Sequence, residues 1–373
     1  MKILFIGDCN HQLLVSFIRT ISSLGVFHFS AFSITKIKIE SQFLYSSVKY
    51  ARSFNNIYKS KWFRKLIYPV DIFYRFLALK NDFDFIHIHS LKLQYFFIWP
   101  LLILSRKKIV ISIWGSEVLR ASNFRIFLLK YMYHKADFIH CTNPILIENF
   151  CQRLNLPYSK FVAIPFFLKN LKIIDEERSN RFEIKSKLGW NRGKIQCTIG
   201  YNYNSGQQHL AILDQFREID FIDKTELILP LTYGSSDGNR ETIIENAQSL
   251  SCTSVIYQSF LSERDLALIR LGTDIFINLQ ITDQYSASMV EALYAGSIVI
   301  TGSWLPYDSL KEVGAFFVEI DKVSDLRDAL SNIFKNWEFY AKRAFESKES
   351  VAKLFGEKTT FNKWDEFYKS IVD

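Results

Sequence analysis

The chain has 373 residues, 49% of them apolar and 23% charged, with 14 Gly and seven Pro. That length suits two domains rather than one, and the balance excludes disorder, collagen-like repeats and a small disulfide-stapled scaffold. Basic residues exceed acidic ones by eight, which points to an acidic partner, and the five Cys fall in no metal-ligand spacing. A structural zinc site is therefore not expected, and a reduced compartment is the simple reading.

Met1-Lys2 is followed by only five uncharged residues before Asp8. This is too short for the apolar core of a signal peptide, and it reads as a strand. The longest apolar run, Tyr95 to Leu104, is ten residues with Pro100 inside it, whereas a membrane-spanning helix needs about 20. Ile3–Ile6 opens the first buried strand, and Asn10 is placed to cap a helix carrying Leu14, Phe17, Ile18 and Ile21 on one face. Strand-like runs follow at Phe27–Ile34, Phe85–His89, Ile109–Trp114, Phe138–Cys141 and Phe161–Ile164, with helical stretches around 62–80, 92–105, 124–135 and 144–154. The alternation predicts a doubly wound parallel sheet.

The pattern thins after Pro165, and a charged stretch from Asp175 to Asn191 reads as a connector and entry helix. A second series begins with Ile195–Ile199, Leu227–Leu231 and Ser254–Tyr257 and continues through Ile275–Leu279, Ile298–Thr301 and Phe316–Ile320. The expected architecture is α/β, with two Rossmann-like domains over 1–170 and 171–350. A C-terminal helix over 351–373 is expected to return to the first domain. Two such sheets facing each other leave a cleft at the carboxyl ends of their strands, where ligands of open α/β sheets bind.

After the strand ending at Leu279 runs Asp283-Gln-Tyr-Ser-Ala-Ser-Met-Val-Glu291-Ala-Leu-Tyr-Ala-Gly296. Ser286 is a natural N-cap, and Ser286, Ala287 and Ser288 are small, so the helix's first amides suit a diphosphate. Glu291 lies one to two turns into the helix, within reach of sugar hydroxyls. An ordinary capped helix with two solvated acids would show the same spacing. A second turn, Gly200-Tyr-Asn-Tyr-Asn-Ser-Gly206-Gln-Gln-His209, joins a strand to a helix, and its glycines permit positive φ.

The Asp283-x7-Glu291 segment resembles the acid-x7-Glu signature of the GT-B glycosyltransferases, particularly family 4. The resemblance implies that Asp283 faces the donor sugar and that Glu291 binds the ribose of a nucleotide-diphosphate sugar. Family 4 members usually carry an Arg after the first glycine and a Lys before the second, where Tyr201 and Ser205 stand here. The Gly200-x-Asn202 to Gln208-His209-Leu210 form, with Pro230-Leu-Thr-Tyr233 downstream, looks more like the 4-acetamido-fucosyltransferases that extend lipid-linked oligosaccharides. Asn202, Asn204, Gln208 and Tyr233 would then supply donors in place of the missing cations. Phe260 and Leu261, just after a strand, are candidates to frame the base, although a core position is the commoner fate.

In the first domain, Phe85-Ile-His87-Ile-His89 ends a strand. Alternation puts both His on one face, and His89 is the nearer to the cleft. Trp114-Gly115-Ser116-Glu117 matches in position the His-Gly-x-Asp turn of family 4, with Glu117 in the acid's place. The resemblance implies a retaining reaction with no metal or other cofactor. Residues 45–80 hold eight Lys and Arg against one acid, Asp71, interleaved with aromatics. This composition fits the interface of an anionic membrane and, by extension, a lipid-linked glycan acceptor at the inner face of a cell membrane. Nucleic acid is not expected, because no binding motif accompanies the patch. Two other readings stay open: a nucleotide-sugar 2-epimerase of the same layout, and a non-catalytic scaffold.

Overall fold

A computed structural model describes the chain except for residues 26, 34–37, 39–41, 51–69, 78–81, 235–238 and 373. Most of the basic segment at 45–80, and the greater part of the helix expected at 62–80, lie outside the described residues. Two compact units are formed, Met1–Phe167 with Glu357–Asp373, and Leu168–Gly356.

In the first unit the apolar runs become β1 (Lys2–Gly7), β2 (His28–Ser33), β3 (Ser47–Tyr50), β4 (Phe85–His89), β5 (Lys108–Ser112), β6 (Phe138–Cys141) and β7 (Phe161–Ala163). They form one sheet in the order β3-β2-β1-β4-β5-β6-β7, with every pairing parallel. In the second unit β8 (Ile195–Ile199), β9 (Thr225–Pro230), β10 (Thr253–Tyr257), β11 (Ile275–Asn278), β12 (Ile298–Gly302) and β13 (Val318–Ile320) run β10-β9-β8-β11-β12-β13. This sheet too is parallel throughout. Both orders reverse at one point, between β1 and β4 and between β8 and β11. Parallel strands are buried on both faces, which is why they read as unbroken apolar runs.

Successive residues of the first sheet face two cores. Ile86, Ile88, Ile109 and Ile111 pack under the helices Trp99–Leu104, Asn123–Lys135 and Ile147–Leu154. Ile3, Phe5, Phe85 and Val110 pack under the helices Gln12–Leu24 and Glu357–Val372. The last helix is fastened by Trp364, which is fully buried and donates its indole N–H to the Pro165 carbonyl at 3.0 Å.

A polar chain runs through the same core. The Tyr368 hydroxyl lies 2.9 Å from His87 Nδ1, His87 Nε2 lies 2.7 Å from Ser112 Oγ, Ser112 Oγ lies 2.8 Å from His140 Nδ1, and His140 Nε2 lies 2.7 Å from the Ile164 carbonyl. A carbonyl only accepts, so His140 Nε2 carries the proton and its Nδ1 accepts from Ser112. Ser112 then accepts from His87 Nε2–H, and His87 Nδ1 accepts from Tyr368. Both imidazoles are neutral in this arrangement. Burial holds His87 well below its usual range and pushes His140 down to about 4.

Two local expectations are corrected. Residues 47–50 form a strand that the sequence reading does not contain. It is an edge strand, held by pairing with β2 rather than by its own apolar content. The first helix is capped by His11, whose Nδ1 accepts the Leu13 amide at 3.3 Å, and not by Asn10, whose Oδ1 accepts the Lys38 amide at 2.7 Å.

Candidate active site

In the second unit the polar residues that follow β8 and β11 converge at the point where the strand order reverses. Gly200 ends β8 with φ +60° and donates its amide to Ile277 of β11 at 3.0 Å. The positive φ favours glycine, and a Cβ there would stand 2.7 Å from Gln207 Oε1, so the Gln207 side chain would have to move to admit one. The turn continues through Asn202, whose Oδ1 accepts the Asn204 amide at 2.9 Å. Gln208 is left-handed and donates its side-chain amide to the Leu279 carbonyl, so that group is committed within the protein. His209 is buried, and burial pushes it down to about 4 against the opposing effect of the Ile199 carbonyl.

Gln280, two residues beyond β11, gathers the turn. Its Oε1 accepts from the Tyr201 hydroxyl at 3.2 Å and from Gln207 Nε2 at 3.3 Å, and its carbonyl accepts the Trp304 indole N–H at 2.9 Å. Gln280 Nε2 donates to Asn278 Oδ1, Asn278 Nδ2 donates to the Tyr307 hydroxyl at 2.9 Å, and that hydroxyl donates to Asp283 Oδ2. Burial, followed by the Asp283 charge, holds the Tyr307 phenol well above its usual range, so it stays a donor to the carboxylate. Asp283 is therefore held by a buried hydrogen-bonded chain that begins at the Gly200 turn.

The helix Ala287–Ala295 follows. Ser286 caps it by accepting the Met289 amide at 3.3 Å, Gly296 closes it with φ +87°, and its first turn contains no acid. No acid of that first turn offsets its positive end, and Ala287 and Ser288 are only half-buried there. One turn on, Glu291 is 8% exposed and Arg270, in the last turn of the helix Glu263–Gly272, is 1% exposed. Arg270 Nε donates to Glu291 Oε2 at 3.2 Å, with the guanidinium over the Phe276 ring at 5.2 Å. Burial raises the Glu291 carboxyl above its ordinary range, and Arg270 works against that rise. This acid is an interior ion-pair partner and not a solvated group, so the plain reading of two exposed acids is corrected for Glu291.

Tyr233 and Phe260 stand beyond the carboxyl ends of β9 and β10, with ring centroids 6.1 Å apart and both rings substantially exposed. Phe260 is not a core residue. The acid Asp274 precedes β11 at the opposite end of the sheet, where Lys185 Nζ at 2.6 Å and the Gln196 amide at 2.8 Å hold it. Its role is in packing.

The candidates of the first unit are covered. His89 is 1% exposed, its ring 4.1 Å from that of His87 and 4.8 Å from that of Phe5, and burial holds it well below its usual range. Glu117 is 3% exposed and accepts the Trp114 amide at 2.7 Å; burial raises its carboxyl and the amide opposes the rise. It closes the turn at Gly115, where φ is +112°. Sequence reasoning did not find Arg270, Tyr307, Asn278 or Gln280. The polar Asn278-Leu279-Gln280 at the end of an apolar strand was the available signal for the last two.

A sequence family described as glycosyl transferase 4-like matches residues 59–143. No curated protein matches the chain. Among solved structures, sucrose-phosphate synthase of Thermosynechococcus elongatus is similar with a TM-score of 0.78 at 12% identity, covering 100% of this chain and 99% of that one. HepE of Anabaena, in complex with UDP and glucose, is similar with a TM-score of 0.79 at 12% identity over 99% of this chain and 100% of that one. The lipopolysaccharide outer core galactosyltransferase WaaB has a TM-score of 0.66 at 12% identity, with 99% of each chain covered. The likeness establishes the fold: two parallel α/β domains of the GT-B class.

Proposed function

We propose that the protein is a glycosyltransferase that takes its sugar from a nucleotide-diphosphate donor held by the second unit. The observation that carries this reading is the meeting, at the β8/β11 reversal, of a glycine turn and a helix start with no acid in its first turn, beside the half-buried Asp283 and the buried Glu291. Backbone amides and a positive helix end suit a diphosphate, whose negative charge grows as the bond from the anomeric carbon to phosphate oxygen breaks. Asp283, oriented by Tyr307, is the group assigned to the sugar, and Glu291, fixed by Arg270, is assigned to the ribose. Tyr233 and Phe260 offer exposed rings for the base. Asn202 and Asn204 lie along the diphosphate's path in this reading, and Gln208 shapes the turn rather than donating to the ligand.

The finer reading is a retaining, metal-independent transfer in which the acceptor is a polyprenyl-linked glycan of a surface polysaccharide. His89 and Glu117 are proposed on the acceptor side, and residues 45–80 are proposed to meet an anionic membrane. The solved complex of HepE with UDP and glucose supports a nucleotide-sugar donor, and the likeness to a lipopolysaccharide galactosyltransferase supports a surface-glycan acceptor. Incubation with radiolabelled nucleotide sugars and a polyprenyl-diphosphate-linked saccharide tests it. Labelled lipid should form with wild type and not with Asp283→Asn, whereas a donor converted without any acceptor would establish an epimerase instead.

A further inference from the structure

The helix Asn123–Lys135 carries two apolar stripes. Ile126, Leu129, Met132 and Tyr133 face the sheet and are buried, while Phe124, Phe127, Leu128 and Tyr131 recur at the same spacing on the outer side. Phe124 is 71% exposed, Phe127 73% and Tyr131 53%. The outer side mixes these rings with Arg125, Lys130 and Lys135, the make-up of a helix at a lipid interface rather than in a core, and no protein covers the rings among the described residues.

The neighbouring element repeats the arrangement. Tyr95, Trp99 and Leu102 are buried, whereas Phe96, Phe97 and Leu104 are exposed, Leu104 at 74%. In the order β4-β5-β6 the two connections step the same way across the sheet. Right-handed crossovers therefore lay both helices side by side on one face, and both contribute to one core. The described helix at 70–77 adds Ile72 and Phe76 to that core and leaves Val70, Tyr74 and Leu77 outside. Scattered apolar residues on a surface need no explanation, but three adjacent helices with outward stripes do.

The charge says what covers them. From Phe85 to Ala136 there are eight Lys and Arg and a single acid, Glu117, which is buried. The next acid, Asp137, begins the loop into β6 and faces Lys108 at 4.0 Å. A second copy of this face would bring like charges together. An anionic bilayer would instead take the rings at the headgroup boundary and the cations among the phosphates.

We infer that the outer face of the helices over 93–104 and 123–135 docks on an anionic lipid surface. The two helices named lie outside 45–80, the described helix at 70–77 extends their face, and the inference stands whether or not the donor site is correctly read. Sedimentation of the full chain with phosphatidylcholine vesicles, and with vesicles containing phosphatidylglycerol, tests it. Binding should require the anionic lipid and fall as salt rises. The variant Phe124→Ser/Phe127→Ser/Tyr131→Ser should bind at least about tenfold more weakly, because three interfacial rings are lost. Its melting temperature and its response to UDP should match wild type, which separates this face from both folding and the donor site. Arg125→Glu/Lys130→Glu should lose the preference for anionic lipid. Three results would overturn the inference: no vesicle binding by wild type, equal binding by the triple variant, or a dimer in sedimentation velocity that the triple variant dissolves.

Discussion

Removing Arg270 is the sharpest perturbation of the second unit. Arg270 and Glu291 are 1% and 8% exposed, and Nε and Oε2 are 3.2 Å apart. Deleting one member of a buried pair leaves an uncompensated charge and costs about 3–5 kcal/mol. Arg270→Met should therefore destabilise the second unit by roughly that amount at pH 8, where Glu291 must stay ionised or take up a proton. The pH dependence follows from the direction of the Glu291 shift. Burial raises this carboxyl in the folded state, so the folded protein binds the proton more tightly than the unfolded one, and stability falls as pH rises through that interval. Loss of Arg270 widens the interval, so the defect should shrink at pH 5, where the carboxyl can be protonated. Arg270→Met/Glu291→Gln removes both charges and should recover most of the loss, giving a coupling energy of at least about 2 kcal/mol. Urea unfolding followed by circular dichroism at the two pH values measures all three variants. A loss below about 1 kcal/mol at pH 8, or the same loss at pH 5, would refute the assignment of a buried, charged pair.

Three further outcomes are expected. Gly200→Ala places a Cβ 2.7 Å from Gln207 Oε1 at φ +60°, so it should destabilise by more than about 1 kcal/mol and weaken nucleotide binding in a thermal-shift titration. Trp364→Ala empties a fully buried site and removes the bond to Pro165; differential scanning calorimetry should show the first unit's transition weakened by about 3–5 kcal/mol and the second unit's unchanged. His140 is held down to about 4 in the folded state, so below its unfolded value the unfolded chain binds the extra proton. The first unit should lose about 1.4 kcal/mol per pH unit from this group as pH falls from about 6.5 towards 4, and His140→Gln should flatten that limb of the stability profile.

Runs such as Ile275–Leu279 and Ile298–Thr301 were legible because a parallel strand buried on both faces has no polar alternation to obscure it. The cap at Ser286 was legible because capping is local. Strand β3 was not, since Ser47-Val-Lys-Tyr has little apolar content and is held by its neighbour β2. The partner of Glu291 was invisible for a related reason. Arg270 lies on another helix, and only the packing of the two helices brings it to the acid. Its one sequence trace is a cation inside the apolar Leu268-Ile269-Arg270-Leu271. Asp283 was legible as an acid, but its support through Tyr307, Asn278 and Gln280 depends on three strand ends meeting. The exposed rings of 123–135 raised the apolar count without revealing that half of them face outward.

Titration calorimetry of the full chain with UDP, GDP and dTDP tests the donor site most directly, with Ser288→Trp as the variant that crowds the first turn of the helix Ala287–Ala295. Wild type should bind at least one of the three, and the variant should bind none while keeping its melting temperature. Silence from wild type towards all three, or unchanged binding by the variant, would contradict a diphosphate seated at that helix start.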